Sequence, residues 1–164
     1  MLRVRAFAGL LCAALLGGCG FTPLYATPGV TAGMSAIQVN VPHGRTAFLL
    51  GEDLDDAFAR DRDKPAVYRL DINLIEKRYP RGLRLDNTAD RYEAHLIVNY
   101  SLVEIGSGRV LSSGSEPVEV SYSAAQQPYA GIAAQQDAEK RAADEAAQRL
   151  RMRLGAYFTS LSEK

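Results

Sequence analysis

The sequence predicts an α+β two-layer sandwich, in which two helices pack on one face of a four-stranded antiparallel or mixed sheet. Four segments alternate apolar and polar residues with a period of two, as half-buried strands do, and two segments repeat apolar residues at helical spacing. Their order, βαβββα, favours a sheet with both helices over one face. A chain of 164 residues, 47% of them hydrophobic, is long enough for one domain with its own core.

Residues 1–18 have the composition of a secretory signal peptide. Arg3 and Arg5 precede the apolar run Ala6–Leu16, which carries no charge. A run of 11 residues is too short to span a bilayer, which takes roughly 20 residues. It is typical of the apolar part of a signal peptide. We therefore expect the chain to be exported.

The signal peptide ends in a lipobox. In Leu16-Gly17-Gly18-Cys19 a branched apolar residue and two small residues precede a cysteine, which is the bacterial lipoprotein pattern. We expect cleavage before Cys19, a diacylglyceryl group on its sulfur and an acyl chain on its new amine, which together anchor a protein stably. Gly20, where retained lipoproteins carry aspartate, predicts sorting to the outer membrane. The alternative is an ordinary signal peptide with a cysteine there by chance.

The rest of the chain is predicted to be a tether and one domain. Residues 19–34 hold the lipidated cysteine and a segment rich in Pro, Gly, Thr and Ala without an apolar period, so we interpret them as the tether. Residues 35–160 form the domain. Alternation at Ile37, Val39 and Val41 predicts its first strand. An amphipathic helix is predicted over residues 45–60, with an acidic outer face of Glu52, Asp53, Asp55 and Asp56.

Three strands and a second helix complete the predicted domain. The strands lie at residues 68–74, 91–104 and 109–123, and the helix lies at residues 133–157. Gly106-Ser107-Gly108 is a turn short enough to join the last two strands as a hairpin. Gly114 and Pro117 suggest a bulge or break in the fourth strand. The last helix carries a stripe of alanines, and small residues let a helix lie close to a sheet.

Composition and motifs argue against most catalytic chemistry. The 19 Lys and Arg residues balance 19 Asp and Glu residues, whereas a general nucleic-acid binder carries an excess of basic residues. Two cysteines and two histidines show no spacing for a metal site. We therefore predict no catalytic residue, no metal and no cofactor. A lipoprotein hydrolase that uses Ser112 or Ser113 with His95 is the least favoured alternative.

A basic stretch is the clearest candidate binding site. It is predicted to be a loop from residue 77 to residue 84 that has four cations and no acid, interleaved with Tyr79, Pro80 and Leu83. Guanidinium groups match phosphate oxygens, and apolar neighbours can meet a lipid, so the pattern favours a phosphorylated amphiphile. A solvated, charged hairpin explains the same residues equally well. The candidate residues for binding such a ligand are Lys77, Arg78, Arg81 and Arg84.

The stretch Cys19-Gly20-Phe21-Thr22-Pro23-Leu24-Tyr25 resembles the start of the lipopolysaccharide-assembly lipoprotein family LptE in its alphaproteobacterial form. Short motifs agree in order along nearly the whole mature chain. They are Tyr68-Arg69-Leu70, Asn99-Tyr100-Ser101-Leu102, Val120-Ser121-Tyr122 and the alanine-rich stretch 129–154. The resemblance implies two helices on a four-stranded sheet, and a function without turnover.

The resemblance also implies partners. Members of the family sit as a plug inside the outer-membrane β-barrel protein LptD, help it assemble and help lipopolysaccharide reach the outer leaflet. They bind lipopolysaccharide through basic residues near one end of the sheet, where Arg84 is the nearest match and Arg81 its neighbour. A second basic position, before the last helix, has no counterpart, since no Lys or Arg lies between Arg109 and Lys140. The alternative is a free-standing envelope lipoprotein that binds an amphiphile or a cell-wall component without a barrel.

Overall fold

The computed structural model describes residues 28–83, 89–123 and 127–162, which form three helices and four strands in the order αβαβββα. In chain order the elements are α1 (Pro28–Ser35), β1 (Ile37–Asn40), α2 (Arg45–Phe58), β2 (Tyr68–Leu83), β3 (Ala89–Glu104), β4 (Val110–Ser123) and α3 (Pro128–Ser162). The predicted α+β class and the four predicted strands are confirmed, and α1 is an additional helix.

The four strands form one mixed sheet in the order β1-β2-β3-β4. β1 pairs with β2 in parallel, from Ile37 opposite Tyr68 to Asn40 opposite Asp71, and α2 is the crossover that a parallel connection requires. The β2–β3 and β3–β4 pairs are antiparallel. The β3–β4 turn is the predicted hairpin, with Gly108 at a φ of 69°, where glycine is favoured. β2 and β3 run far beyond the short β1.

One face of the sheet is buried under the helices. Alternate strand residues such as Leu70, Val98 and Val118 point into this core. α2 adds Leu50, Leu54 and Phe58 at helical spacing, which confirms its predicted apolar face. Between residues 138 and 147 α3 lines the core with alanines, so it lies close to both the sheet and α2. The core residues of α3 are Ala138, Ala142, Ala143, Ala146, Ala147, Leu150, Leu154 and Phe158.

Residues 28–35 form helix α1, whereas the sequence predicts an irregular tether over residues 19–34. Val30 and Met34 are buried, and the helix packs on the C-terminal part of α3. Gly33 makes the approach possible: a Cβ atom there would lie 2.7 Å from Cδ1 of Phe158. The local sequence shows no amphipathic period, so α1 owes its place to this packing rather than to its own pattern.

The predicted loop at residues 77–84 is also corrected, since residues 77–83 continue β2. They pair with β3 as far as Leu83 opposite Ala89, and Pro80 lies opposite Tyr92. β1 pairs only with residues 68–71, so the rest of β2 is an edge strand, where proline is tolerated. The basic residues therefore lie on a regular strand.

The bulge or break predicted at Gly114 and Pro117 is not found at these residues. The ladder between β3 and β4 is regular at both residues, and the register shifts instead between Leu102 and Val103. β4 is an edge strand, which again accommodates proline. Glycine at position 114 leaves room for the Tyr100 ring, whose nearest atoms would lie 3.0 Å from an added Cβ.

Among the described residues, no helix is both long enough and apolar enough to cross a bilayer. α3 has 35 residues, but charged side chains interrupt it throughout. Its buried stripe serves the core of this domain.

Candidate functional site

The candidate site lies where the sheet extends past the start of α2. We call this part the arm: residues 77–83 of β2, 89–95 of β3 and 118–123 of β4. The first turn of α2 marks its base, where Oγ1 of Thr46 donates a hydrogen bond to Oε2 of Glu76 at 2.9 Å. Beyond that point α3 is the described helix that lies over the arm. One face of the arm is thus partly covered by α3, and we call the opposite face the uncovered face.

The arm divides the four predicted cations. Successive strand residues point to opposite faces, so Lys77 and Arg81 lie on the uncovered face and Arg78 lies on the helix face. Their contacts agree, because Arg81 binds Glu93 of β3 whereas Arg78 reaches Gln135 of α3. Arg84 and Cys19 lie outside the described residues. The described basic residues of this stretch therefore belong to two separate surfaces, although they are neighbours in the sequence.

The uncovered face carries a network of charged groups. Nε and Nη2 of Arg81 lie 2.8 and 2.7 Å from Oε2 of Glu93, and Nε2 of His95 lies 3.4 Å from the same oxygen. The other ring nitrogen of His95 is 3.4 Å from Oε1 of Glu119. The Arg81 guanidinium, followed by the His95 ring, holds the pKa of the Glu93 carboxyl below its ordinary value. Tyr79 sits edge-on to His95, with 4.8 Å between ring centroids.

Arg91 is a site residue that the sequence analysis missed. It lies directly opposite Arg81 in the β2–β3 register, so it shares the uncovered face with Lys77 and Arg81. Side chains directly opposite in an antiparallel pair have Cβ atoms about 4.5–5.5 Å apart. The signal that reveals Arg91 is the strand register, which requires residues 77–83 to be a strand rather than a loop.

The helix face of the arm is aromatic. The guanidinium of Arg78 lies 4.9 Å from the centroid of the Tyr92 ring, a cation–π geometry. Tyr92 in turn stacks on Tyr122, with 5.6 Å between centroids. Nη1 of Arg78 donates to Oε1 of Gln135 at 2.9 Å, which ties the arm to the first turns of α3. Arg78 thus ends a stack that leads from solvent toward the core.

A groove of about 250 Å³ opens between this face and α3, at the point where α2 begins. Its apolar floor is formed by Ala94, Leu96, Tyr122 and Ala142, and its polar rim by Thr46, Glu76, Arg78, Gln135 and Glu139, with Lys77 and His95 also contributing atoms. The rim carboxylates are engaged: Glu76 accepts from Thr46, and Glu139 accepts from Gln135 at 2.9 Å and lies 3.4 Å from Nε of Arg45.

The residues of the hydrolase alternative are not brought together. Ser113 lies opposite Ser101 in the β3–β4 ladder, whereas His95 lies opposite Glu119. Six strand positions separate these two levels of the ladder, roughly 20 Å at about 3.3 Å per residue. His95 instead contacts two carboxylates and a tyrosine, as described above.

The acidic group of α2 lies on the outer side of the helix layer, as predicted, except Asp53, which lies beside Asp144 of α3. Asp55 pairs with Arg62 at 2.8 Å, and Glu52 and Asp56 are exposed. Partial burial, followed by the nearby Asp144 carboxylate of α3, raises the pKa of Asp53 above its ordinary value. Among the described residues, no three His, Cys, Asp or Glu side chains are placed to hold a metal ion.

Known proteins resemble the chain in sequence and in structure. The family model "LptE: Lipopolysaccharide-assembly" matches residues 34–154. The crystal structure, at 2.40 Å, of a candidate lipoprotein from Caulobacter crescentus CB15 is 42% identical, with a TM-score of 0.70, covering 80% of this chain and 96% of that chain. Comparison with curated proteins gives no significant match.

Two more distant structures share the fold. Rare lipoprotein B from Shewanella oneidensis is 14% identical, with a TM-score of 0.59 over 77% of this chain and 96% of that one. Lipoprotein B from Nitrosomonas europaea is 15% identical, with a TM-score of 0.57 over 75% and 83%. The matched residues span β1 to α3 and include the arm and its groove. The chain therefore belongs to the LptE family of lipopolysaccharide-assembly proteins.

Proposed function

We propose that this chain is the lipoprotein subunit of an outer-membrane lipopolysaccharide translocon, in which it plugs an LptD-like β-barrel, helps the barrel assemble and binds lipopolysaccharide. The family of the chain supports a role in lipopolysaccharide assembly. The observation that carries the binding part is the trio of cations Lys77, Arg81 and Arg91 on the uncovered face of the arm. They form a surface that matches phosphate groups.

The trio is suited to a ligand with several phosphates. Arginines offer planar donor pairs that match phosphate oxygens, and Arg81 lies directly opposite Arg91. Lys77 lies four residues along β2 from Arg81, about 13 Å away at about 3.3 Å per residue, so the trio suits phosphates that are spaced apart. Glu93 neutralises Arg81 in the free protein, so a bound phosphate exchanges partners with this carboxylate rather than meeting a bare charge. Exposed charge–charge contacts of this kind are screened by salt, and lipopolysaccharide binding should weaken as ionic strength rises.

Arg78 supplies a cation near the place before the last helix where the family resemblance implies one and where this chain has no Lys or Arg between Arg109 and Lys140. Its guanidinium lies beside Gln135 in the first turns of α3, although the residue itself belongs to β2. We infer that Arg78 takes over this position for the helix face of the arm.

The barrel partnership fits the charge of the domain. A large barrel leaves a polar lumen, which a plug must fill without building up a field of one sign. Without Arg3 and Arg5 of the predicted signal peptide the chain carries 17 basic and 19 acidic side chains, and many of these form pairs across its surface. An acylated Cys19 would keep the domain at the membrane and so raise its effective concentration beside the barrel.

The test is affinity purification of the full-length tagged chain from detergent-extracted outer membranes. We expect a large β-barrel protein in a one-to-one ratio, and we expect a Cys19→Ala variant to be lost from the membrane fraction of cells that lack the barrel. Recovery of the lipoprotein alone, from membranes in which the barrel is abundant, would contradict the plug and favour a free-standing lipoprotein.

A further inference from the structure

His95 lies between two carboxylates on the uncovered face of the arm. Its Nε2 atom is 3.4 Å from Oε2 of Glu93, and its Nδ1 atom is 3.4 Å from Oε1 of Glu119. A neutral imidazole has one N–H donor and one acceptor nitrogen, whereas the protonated ring has two donors. Neutral His95 therefore donates to one carboxylate at most and turns a lone pair toward the other. The arrangement suits the protonated ring, which can donate to both.

Glu93 is also the carboxylate that occupies Arg81 in the cationic trio. Nε and Nη2 of Arg81 lie 2.8 and 2.7 Å from Oε2 of Glu93, the same oxygen that His95 approaches. A phosphate that binds Arg81 has to displace this carboxylate, which then needs another partner. A protonated His95 offers a charge-assisted hydrogen bond to the displaced group, and a neutral one offers a weaker bond. The charge of His95 thus affects how readily Arg81 is released.

The other charged and titratable groups that face His95 come from all three strands of the arm. β2 places Lys77 directly opposite His95 and Tyr79 edge-on to its ring. β4 places Glu119 directly opposite on the other side. In the part of the chain that the structure describes, the uncovered face of the arm therefore has three cations and two carboxylates around this ring. Protonation of His95 raises the net charge of this surface from one to two.

We propose that His95 is a pH-dependent positioning residue for the phosphate site of the arm: its protonation draws Glu93 away from Arg81 and so raises the affinity of the trio for a phosphorylated lipid. This regulation rests on the proposed function, because it controls the phosphate site named there. Histidine is the side chain that ordinarily changes charge between about pH 5 and pH 8. The switch takes one proton from solvent and needs no other reactant.

The test measures the affinity of the full-length chain for lipid A in detergent, by isothermal titration calorimetry at about pH 5.5 and about pH 8. The phosphates of lipid A titrate in this range too, with a second pKa near 6. The measured quantity is therefore the affinity of the parent chain divided by that of His95→Gln at the same pH, since the titration of the ligand is common to both. We expect this ratio to be close to one at the higher pH and to rise about 2- to 5-fold at the lower pH, the size of one charge–charge interaction near a surface.

Two further variants separate the charge of His95 from its packing. His95→Lys carries a fixed positive charge, so it should bind lipid A more tightly than His95→Gln at both pH values. His43→Gln is the matched control, because it removes the other histidine of the chain, from the turn between β1 and α2. It should keep the pH dependence of the parent. Circular dichroism at both pH values checks that each variant is folded.

A second readout follows from the reciprocity of linked equilibria, since a ligand that binds more tightly to the protonated chain must also promote its protonation. Calorimetry in two buffers of different ionisation enthalpy counts the protons taken up on binding. At about pH 6.5 the parent chain should take up more protons per bound lipid A than His95→Gln does. A purely structural role of the ring would leave this difference at zero.

The outcomes distinguish this inference from the proposed function. The same ratio at both pH values, with lipid A binding intact in the parent, means that His95 does not control the site; the proposed function then stands and the switch is wrong. A parent chain that recovers the barrel but binds lipid A at neither pH overturns the phosphate site itself. Loss of the pH dependence in His43→Gln would contradict the role of His95, because the titrating group would then be the other histidine.

Discussion

Arg81 and Arg91 face each other across the β2–β3 pair, on the face of the sheet that the described helices leave uncovered. Like charges directly opposite on neighbouring strands are unfavourable, and Glu93 offsets only part of this cost by binding Arg81 through two nitrogens, since Arg91 keeps its charge. The pair thus costs stability in the free domain. A cost of this kind is typical of a surface that gains its full set of partners only when a ligand binds.

This relationship predicts a trade between stability and affinity. Arg91→Glu places a carboxylate opposite Arg81, and the new pair should raise the free energy of unfolding by about 0.2–1 kcal/mol. The same change should weaken lipopolysaccharide binding, since it removes one cation of the trio and adds an anion. Urea unfolding and lipopolysaccharide titration at one ionic strength measure the two effects.

Arg109→Glu is the charge-matched control for this variant. Arg109 precedes β4 at the opposite end of the sheet and lies 3.6 Å from Glu104, so the net charge changes equally while the trio stays intact. Lipopolysaccharide affinity should then remain close to that of the parent chain. An equal loss of affinity in both variants would show that net charge, rather than the arm, governs binding.

The docking of α1 predicts opposite effects at its two glycines. Gly33→Ala should lower the free energy of unfolding by about 1–3 kcal/mol, as overpacking does, because its Cβ would lie 2.7 Å from the Phe158 ring. Gly29→Ala should stabilise slightly, since its Cβ would meet only Ser162 at 4.0 Å and alanine favours helix. Amide hydrogen exchange over residues 28–35 reports whether α1 stays docked, and protection retained in Gly33→Ala would disprove the tight approach.

The end of α2 predicts a stabilising substitution. Ala59 has a φ of 49° and a ψ of 50°, the left-handed conformation that ends a helix and that suits glycine. Ala59→Gly should therefore raise the free energy of unfolding by about 0.5–1 kcal/mol, because the left-handed form costs an L-residue about 1–2 kcal/mol and glycine loses part of this gain to its flexible unfolded chain. Ala156→Gly, inside α3, should do the reverse. Thermal melts of both variants decide the sign.

The interface of α2 and α3 predicts a pH effect at Asp53. Its pKa is raised in the folded state, chiefly by burial and then by Asp144. Ionising Asp53 is therefore less favourable in the folded than in the unfolded chain, so the free energy of unfolding falls as pH rises from the ordinary pKa through the raised one. Asp53→Asn should stabilise the domain at pH 7, by about 0.2–1 kcal/mol as for a charge–charge interaction near the surface, and should change nothing near pH 3. Asp55→Asn is the control. It removes the exposed pair with Arg62 and should give no gain at either pH.

The strand and helix patterns were the predictable part of this fold, because each depends on a local period that its own segment shows. The alternation of Leu70 and Ile72 and the spacing of Leu50 and Leu54 suffice for β2 and α2. α1 escaped prediction since its helix depends on a surface of α3 more than a hundred residues away. The strand at residues 77–83 was not predicted because proline ordinarily interrupts a strand. Pro80 is tolerated only because this part of β2 is an edge strand.

The sequence shows which basic residues belong to the candidate site, but it does not show where their side chains lie relative to one another. Lys77, Arg78 and Arg81 stand out in the sequence by their charge, yet their division between two faces follows from the strand alternation. Arg91 and Tyr122 are ordinary strand residues in the sequence. Arg91 joins the site through pairing with Arg81, and Tyr122 joins it because α3 lies over β4. Both depend on contacts between segments far apart in the chain.

The place where α1 packs has a practical meaning for any molecule attached to this domain. Gly29 lies beside Ser162 at the last turn of α3, whereas the arm meets α3 near Gln135. From Gln135 to Ser162 α3 rises through 27 residues, about 40 Å at about 1.5 Å per residue. An affinity tag or fluorophore joined at Pro28 or Ser162 therefore lies at the far end of α3 from the arm, so immobilising the domain through either of these positions leaves the arm free to bind.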